Sequence, residues 1–314
     1  MEKRYRWKLK QREVVLGERT LIMGVLNLTP DSFSDGGQYA EPERAFARAV
    51  QLEEEGADII DIGAESTRPG SARLPEAEEL RRLIPVLKRL NGRLGIPISV
   101  DTYKSGVAER ALDHGAEIIN DPTGILLDPQ LPRAVNKFDA GLIINHMRGT
   151  PETWAKLAPL KNLMHSIAID LEAAIHRARQ GGVERQQIVI DPGIGFGKRK
   201  EQNAEIIARL PELRSFDLPI LVGPSRKSFL KRDEIDATEF ATAGAVAACV
   251  LSGAHIVRVH NVVAMKNVVA VADSIREYSN METPEPPRKP HSSDPSTPAK
   301  HAGSVDKSGY RAGR

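Results

Sequence analysis

Short polar side chains follow a series of apolar segments along this chain, and their types could bind a flat, nitrogen-rich ring. Asp101, Asn120 and Asp191 each stand at the end of a short run of β-branched and other apolar residues. A carboxylate can accept two parallel N–H bonds, such as those of an amidine-like pair on the edge of a heterocycle. These three residues therefore indicate a site for such a ring.

A second set of residues at equivalent places carries positive charge or hydrogen-bond donors. Such groups suit an anion, above all a phosphate accompanied by a divalent ion. The set consists of Asn27, Thr67, Arg68, Arg226, Lys227, Arg258 and His260. A ring site beside an anion site indicates a substrate that contains both a heterocycle and a phosphate or diphosphate.

The elements that must position these residues repeat along the chain as a short β-rich run, a polar loop and a helical stretch. The predicted strands are 21–26, 59–62, 98–100, 118–119, 142–144, 188–190, 220–222 and 256–259. Between them, amphipathic patterns predict helices over 43–55, 76–90, 104–114, 163–180 and 241–251. Eight alternations predict an α/β protein with a (β/α)₈ TIM barrel, whose ligands bind at the carboxyl ends of the strands. A doubly wound open sheet is the alternative, but it more often has fewer strands and a glycine-rich loop after the first.

The two ends of the chain differ from the barrel segment, which we place at residues 21–279. In residues 1–20, Tyr5, Trp7 and Leu9 alternate with charges, which predicts a β-hairpin that closes the bottom of the barrel. A basic arm for nucleic acid or membrane is the alternative interpretation. Residues 280–314 contain six prolines and no Leu, Ile or Phe, so we expect a disordered tail.

Composition excludes several classes of protein. The 44 basic and 42 acidic residues nearly cancel, so the net charge of +2 gives no reason to expect a nucleic-acid partner. The single cysteine, Cys249, rules out an internal disulfide framework and lies in an apolar run that predicts a buried thiol. The sequence shows neither an 18-residue apolar run nor a signal-peptide pattern. We therefore expect no membrane partner and a cytoplasmic protein.

Seven segments carry a resemblance to a known family. In order, MGVLNLTPDSFSDGG, ESTRPG, SVDT, IND, DPGIGFGK, GPSRKS and RVH are similar to the motif set of the dihydropteroate synthases, over roughly residues 21 to 275. The resemblance implies a (β/α)₈ transferase of folate biosynthesis. Such an enzyme joins 6-hydroxymethyl-7,8-dihydropterin diphosphate to 4-aminobenzoate and releases pyrophosphate. It also implies a homodimer formed through the late barrel helices, and a target of sulfonamides.

The resemblance assigns roles to individual residues. The pterin ring is expected to bind Asp101, Asn120, Met147, Asp191 and Lys227, with Arg258 and Met147 against its faces. The diphosphate is expected at Asn27, Thr67, Arg258 and His260, with Mg²⁺ bound at Asn27. The aminobenzoate side comprises Thr67, Arg68, Pro69, Phe196 and Ser225, beside Lys227. Phe33 and Asp35 belong to a mobile first loop, and the residues expected to take part in catalysis are Asn27, Asp101, Lys227 and Arg258.

Two positions depart from the family pattern, and two other functions stay open. Asn261 stands where Asp commonly follows the histidine, and Pro122 stands where a β-branched residue is usual. A methyltetrahydrofolate-dependent methyltransferase domain also binds a pterin, but it has no use for the loop at 66–69 or the SRK motif at 225–227. A non-catalytic pterin-binding paralogue would be expected to lose anion-site residues, which this chain retains.

Overall fold

An eight-stranded parallel barrel surrounded by helices forms the body of the protein in a computed structural model that describes residues 3–28, 41–66 and 70–279. A two-stranded hairpin precedes it, with β1 at Tyr5–Lys8 and β2 at Glu13–Leu16. The barrel strands are β3 Leu21–Asn27, β4 Ile59–Gly63, β5 Ile98–Asp101, β6 Ile118–Asp121, β7 Gly141–Asn145, β8 Ile188–Asp191, β9 Leu221–Val222 and β10 Ile256–Val259. The helices are α1 Glu41–Glu55, α2 Glu76–Leu90, α3 Ser105–Asp113, α4 Leu131–Lys137, α5 Leu163–Gln180, α6 Lys200–Ala208, α7 Ile235–Leu251 and α8 Val262–Ser279.

The strand order confirms the predicted (β/α)₈ barrel. Each strand from β3 to β7 pairs in parallel with the next, and β10 pairs with both β3 and β9. A bridge between Ile190 and Ile220 completes the circle. The doubly wound sheet is therefore wrong. The predicted strands match closely, although α7 begins six residues before the predicted start at 241.

Side chains on each strand alternate between the helix-facing core and the barrel interior. In β4, Ile60 and Ile62 pack in the core shared with the helices, whereas Ile59 belongs to a separate apolar cluster inside the barrel. Because side chains two positions apart share a face, Asp61 and Gly63 point inward above Ile59. The interior is thus apolar near the amino ends of the strands and polar near their carboxyl ends.

The N-terminal hairpin closes the apolar end of the barrel, as the sequence predicts. Trp7, Leu9 and Leu16 pack with the inward residues of the strands, among them Met23 and Ile143. The Trp7 indole Nε1 donates a hydrogen bond to the backbone oxygen of Gln187 at 2.8 Å. The segment is thus a folded hairpin and not a free arm, and the expectation that it binds neither nucleic acid nor membrane stays a prediction.

Several other expectations concern the rest of the chain. Cys249 is buried on α7, as predicted. No helix among the residues described here is long and apolar enough to cross a membrane. The predicted disordered tail at 280–314 and the first loop, with Phe33 and Asp35, lie outside the described residues, so these expectations stay predictions.

We expect Trp7→Ala to lower the free energy of unfolding by about 3–5 kcal/mol, because it empties a fully buried site and leaves the Gln187 oxygen without its donor. Val15→Ala, on the exposed side of the same hairpin, is the matched control and should cost under about 1 kcal/mol. Urea unfolding followed by circular dichroism measures both. Equal losses of unfolding free energy for the two variants would contradict the role of Trp7 in closing the apolar end of the barrel.

Candidate active site

The Arg258 guanidinium connects two carboxylates at the polar end of the barrel. Its Nε donates to Asp61 Oδ2 at 2.6 Å, and its Nη2 donates to Asp101 Oδ2 at 3.1 Å. Asn120 Nδ2 donates to the same Asp61 oxygen at 3.2 Å. Because β3 lies between β10 and β4, only a long side chain on β10 reaches Asp61 and Asp101. The structure thus brings three predicted residues, Asp101, Asn120 and Arg258, into one network.

Sequence analysis assigned no role to Asp61, the fourth member of this network. Its carboxylate is fully buried, and its Oδ1 has no hydrogen-bond partner within the described ranges. Its inward orientation could have been inferred from the sequence, because Asp61 lies two residues after Ile59 and therefore on the same face of β4. Burial raises the pKa of its neighbour Asp101, and the Arg258 guanidinium opposes that rise. Arg258 therefore holds a fully buried carboxylate and a half-buried one together.

Asp191 ends β8 and points into the same end of the barrel. Gly193 N donates to its Oδ1 at 2.7 Å, and burial raises the pKa of Asp191 to about 6. The cations Lys227, Lys198 and Arg258 oppose this rise. Burial and the charge of Arg258 in turn lower the pKa of Lys227 to about 8. The site thus places carboxylates and cations close together away from water, where each charge depends on the others.

The glycines of the loop after β8 allow its backbone to lie against neighbouring chain segments. Gly193 and Gly197 have φ angles of +72°, and a Cβ on them would lie 1.9 Å from the His146 oxygen and 2.2 Å from the Arg148 oxygen, respectively. A Cβ on Gly195 would approach the Lys227 side chain to 2.9 Å. This loop therefore packs tightly on the loop after β7 and on Lys227.

An apolar wall lies beside these charges. Lys227 Nζ is 4.2 Å from the centre of the Phe196 ring, and Phe196 meets Trp154 edge to face at 5.4 Å between centroids. Phe196, Trp154, Met147 and Asp101 all line one cavity. Glu65, Glu79 and Glu152 line it as well, so aromatic and thioether walls stand beside several carboxylates. Such a cavity suits a flat aromatic ligand with polar edges.

The Ser225 hydroxyl and His260 Nδ1, 2.9 Å apart, link the ends of β9 and β10. His260, Asn27 and Arg226 line a second recess, beside Asn261. Within residues 3–28, 41–66 and 70–279, no group of three His, Cys, Asp or Glu side chains could hold a metal ion. Arg48 and Glu55 also line the recess and form an ion pair at 2.7 Å. The recess therefore offers an anion polar and positively charged groups, together with one carboxylate that is already paired.

The two departures from the family pattern have structural roles here. Asn261 Oδ1 accepts the backbone N–H of Ala264 at 3.1 Å, which caps the start of α8 as an aspartate would. The Pro122 oxygen accepts a hydrogen bond from Asn145 Nδ2 at 2.7 Å. Neither position disturbs the network around Arg258.

All the predicted site residues within the described ranges lie at strand ends or in the loops that follow. They are Asn27, Asp101, Asn120, Met147, Asp191, Phe196, Ser225, Lys227, Arg258 and His260. Thr67, Arg68 and Pro69 lie outside the described residues, so their roles stay predictions. Besides Asp61, sequence reasoning gave no role to Lys198, which lies between the loops after β7 and β8.

Comparisons with known proteins agree with this geometry. A model of the family described as "Pterin binding enzyme" matches residues 23–260. The curated dihydropteroate synthase of Synechocystis is 42% identical over 263 residues, which cover 82% of this chain and 91% of that protein. A structure of the dihydropteroate synthase from Clostridium difficile with pteroic acid has a TM-score of 0.78 and 42% identity, and covers 83% of this chain and 98% of its own. The Xanthomonas albilineans enzyme with 4-aminobenzoic acid has a TM-score of 0.80 and 35% identity, and covers 87% and 99%.

We expect Asp191→Asn to increase the free energy of unfolding above pH 7 by up to about 3 kcal/mol, because a pKa near 6 in place of 3.8 reports a carboxylate that folding destabilises when ionised. The advantage should shrink as the pH falls through 6, where the folded wild type takes up its proton, and vanish near pH 4. Chemical denaturation across this range measures it, with the exposed Asp113→Asn as control. A pH-independent difference would contradict the assignment.

Proposed function

We propose that this chain, which belongs to the pterin-binding enzyme family, is a dihydropteroate synthase. It condenses 6-hydroxymethyl-7,8-dihydropterin diphosphate with 4-aminobenzoate to give 7,8-dihydropteroate and pyrophosphate. The observation that carries the proposal is the meeting of Asp191, Lys227 and the Arg258 network at one end of the barrel, beside an aromatic wall.

The pterin is recognised by its polar edge and by its faces. Ionised Asp191 accepts the amidine-like N–H pair of the ring, and Asn120 offers an amide to the same edge. Lys227 donates to ring acceptors, while Met147 and Arg258 lie against the faces. Asp191 is already removed from water in the free protein, which makes its ionised form unfavourable before the ligand binds. Hydrogen bonds from the pterin then offset the free energy of this desolvation.

The reaction transfers the pterin methylene from oxygen to nitrogen. The amine nitrogen of aminobenzoate attacks the methylene carbon, the bond from that carbon to the diphosphate oxygen breaks, and the amine loses a proton. Positive charge develops on the pterin side and negative charge on the leaving diphosphate. Asp101 stabilises the first, while Arg258 and His260 stabilise the second. No covalent intermediate with the protein is required.

We propose that Mg²⁺ accompanies the diphosphate. Asn27 is half-buried at the end of β3 and lines the recess that contains His260, so its carbonyl oxygen could hold the ion together with phosphate oxygens and water. A single protein ligand fits Mg²⁺, which usually keeps several waters and binds through substrate phosphates. When bound, the ion would neutralise charge on the leaving diphosphate.

We also propose a homodimer formed through α7 and α8, in the cytoplasm. These two helices pack on each other and carry large apolar side chains on the surface. Phe240 is 79% exposed, and the other exposed members are Ile235, Leu251, Val263, Val271, Ile275 and Tyr278. So many exposed apolar residues on neighbouring helices are typical of a protein–protein contact.

Pyrophosphate release by the purified protein, given the pterin diphosphate and Mg²⁺, tests the function. We expect release to require aminobenzoate and to yield dihydropteroate. Asp191→Asn should lower kcat/KM about 100-fold or more, because the amide cannot accept both N–H bonds of the ring. Tight pterin binding by the wild type without product would instead identify a non-catalytic paralogue.

For the dimer, sedimentation equilibrium of the wild type should give twice the mass of the chain. Phe240→Glu should shift the protein to monomer, because it places a charge at the most exposed large apolar side chain of these two helices. Ile169→Glu, at a 52% exposed position on α5, is the matched control and should leave the dimer intact. A wild-type monomer at micromolar concentration would contradict the proposal.

A further inference from the structure

Lys198 ends the glycine-rich segment after β8, and its ammonium group is surrounded by backbone oxygens. Nζ donates to the oxygens of His146 at 3.0 Å, Pro192 at 2.8 Å and Gly193 at 2.6 Å. An ammonium has three N–H donors, whereas a neutral amine has two. Three acceptors therefore fit the charged form and leave no donor for a substrate.

The three oxygens belong to the two loops that carry pterin-site residues. His146 is also bound through its N–H, which donates to the Asp191 oxygen at 2.8 Å. Both backbone polar groups of His146 are thus tied to the segment around β8, directly or through Lys198. Met147 follows His146, and Asp191 precedes Pro192, so this cross-link sets their mutual placement.

Lys198 also contributes charge to this part of the site. Burial and the nearby cations Lys227 and Arg148 lower its pKa well below the usual range. The carboxylates of Asp191 and Asp170 oppose that shift, and the three backbone oxygens favour the charged ammonium. In return, Lys198 is one of the three cations that hold down the pKa of Asp191, beside Lys227 after β9 and Arg258 on β10. Two further titratable groups lie nearby, and both stay neutral over the tested range. Burial and the charge of Lys198 lower the pKa of the His146 imidazole to about 4, and burial raises the pKa of the Cys249 thiol on α7 above its usual range.

We propose that Lys198 is a positioning residue of the pterin site, which cross-links the loops after β7 and β8 and so fixes Met147 and Asp191 relative to each other without contacting substrate. The inference rests on the proposed function, because it assumes that these two residues bind a pterin. It predicts a larger defect for the pterin than for aminobenzoate, whose expected contact Phe196 lies in the same loop.

Two variants separate the geometry of Lys198 from its charge. Lys198→Met keeps an unbranched stem but removes donors and charge. Lys198→Arg keeps the charge, but a planar guanidinium cannot place three N–H groups on oxygens arranged around one nitrogen. Lys200→Met, at an exposed lysine of α6, is the matched control. Thermal unfolding verifies that each variant is folded.

The experiment is calorimetric titration with 6-hydroxymethyl-7,8-dihydropterin between pH 5.5 and 8.5, combined with KM and kcat for both substrates. We expect Lys198→Met to weaken pterin binding about tenfold or more and to move the acid-side loss of affinity to higher pH. Lys198→Arg should weaken binding while keeping the acid-side loss near its wild-type position. For both variants, the KM for aminobenzoate should change less than about threefold, and Lys200→Met should match the wild type.

Wild-type pterin affinity in Lys198→Met with an unchanged pH profile would overturn the inference. So would equal losses for both substrates without a shift in pH, which would indicate a general packing role. If Lys198→Met does not fold, the split between the two KM values in Lys198→Arg decides the question. Failure of the proposed function is a separate result, since the wild type would then bind no pterin or form no dihydropteroate.

Discussion

The Arg258 guanidinium is the centre of the polar site, because it contacts both a fully buried carboxylate and a half-buried one. Asp61 has no exposure to solvent, and Asp101 lies beside it, so without Arg258 two like charges would share a desolvated space. Removing one partner of such a buried group typically costs about 3–5 kcal/mol, because the remaining charge is left uncompensated. The two carboxylates therefore require a cation between them, and a long arginine side chain on β10 can reach both.

The residues that stabilise the barrel interior and the residues of the candidate active site lie at opposite ends of the strands. The hairpin residues Trp7 and Leu16 complete an apolar interior at the amino ends of the strands. At the opposite end, burial raises the pKa of Asp191 and lowers the pKa of Lys227, so both charged forms are disfavoured in the free protein. Such a site is poorly satisfied until a ligand with complementary hydrogen bonds fills it.

Much of the fold could be predicted from the sequence, because a strand buried on both faces gives a continuous apolar run such as 21–26. Polar residues directly after such runs then had to meet at one end of a barrel. The positions of Asp61 and Lys198 were harder to interpret. Asp61 lies within an apolar strand, and Lys198 acts through backbone oxygens that only the folded loops bring together.

Arg258 illustrates the same limit, since its residue type indicated an anion site but could not show its bonds to two carboxylates. We infer that the pterin binds between these charges, and a crystal structure with the dihydropterin bound would show whether it does. We expect N–H groups of the ring within about 3.2 Å of the Asp191 oxygens, with Met147 against one face. A pterin bound elsewhere, with Asp191 contacting only protein or water, would contradict it.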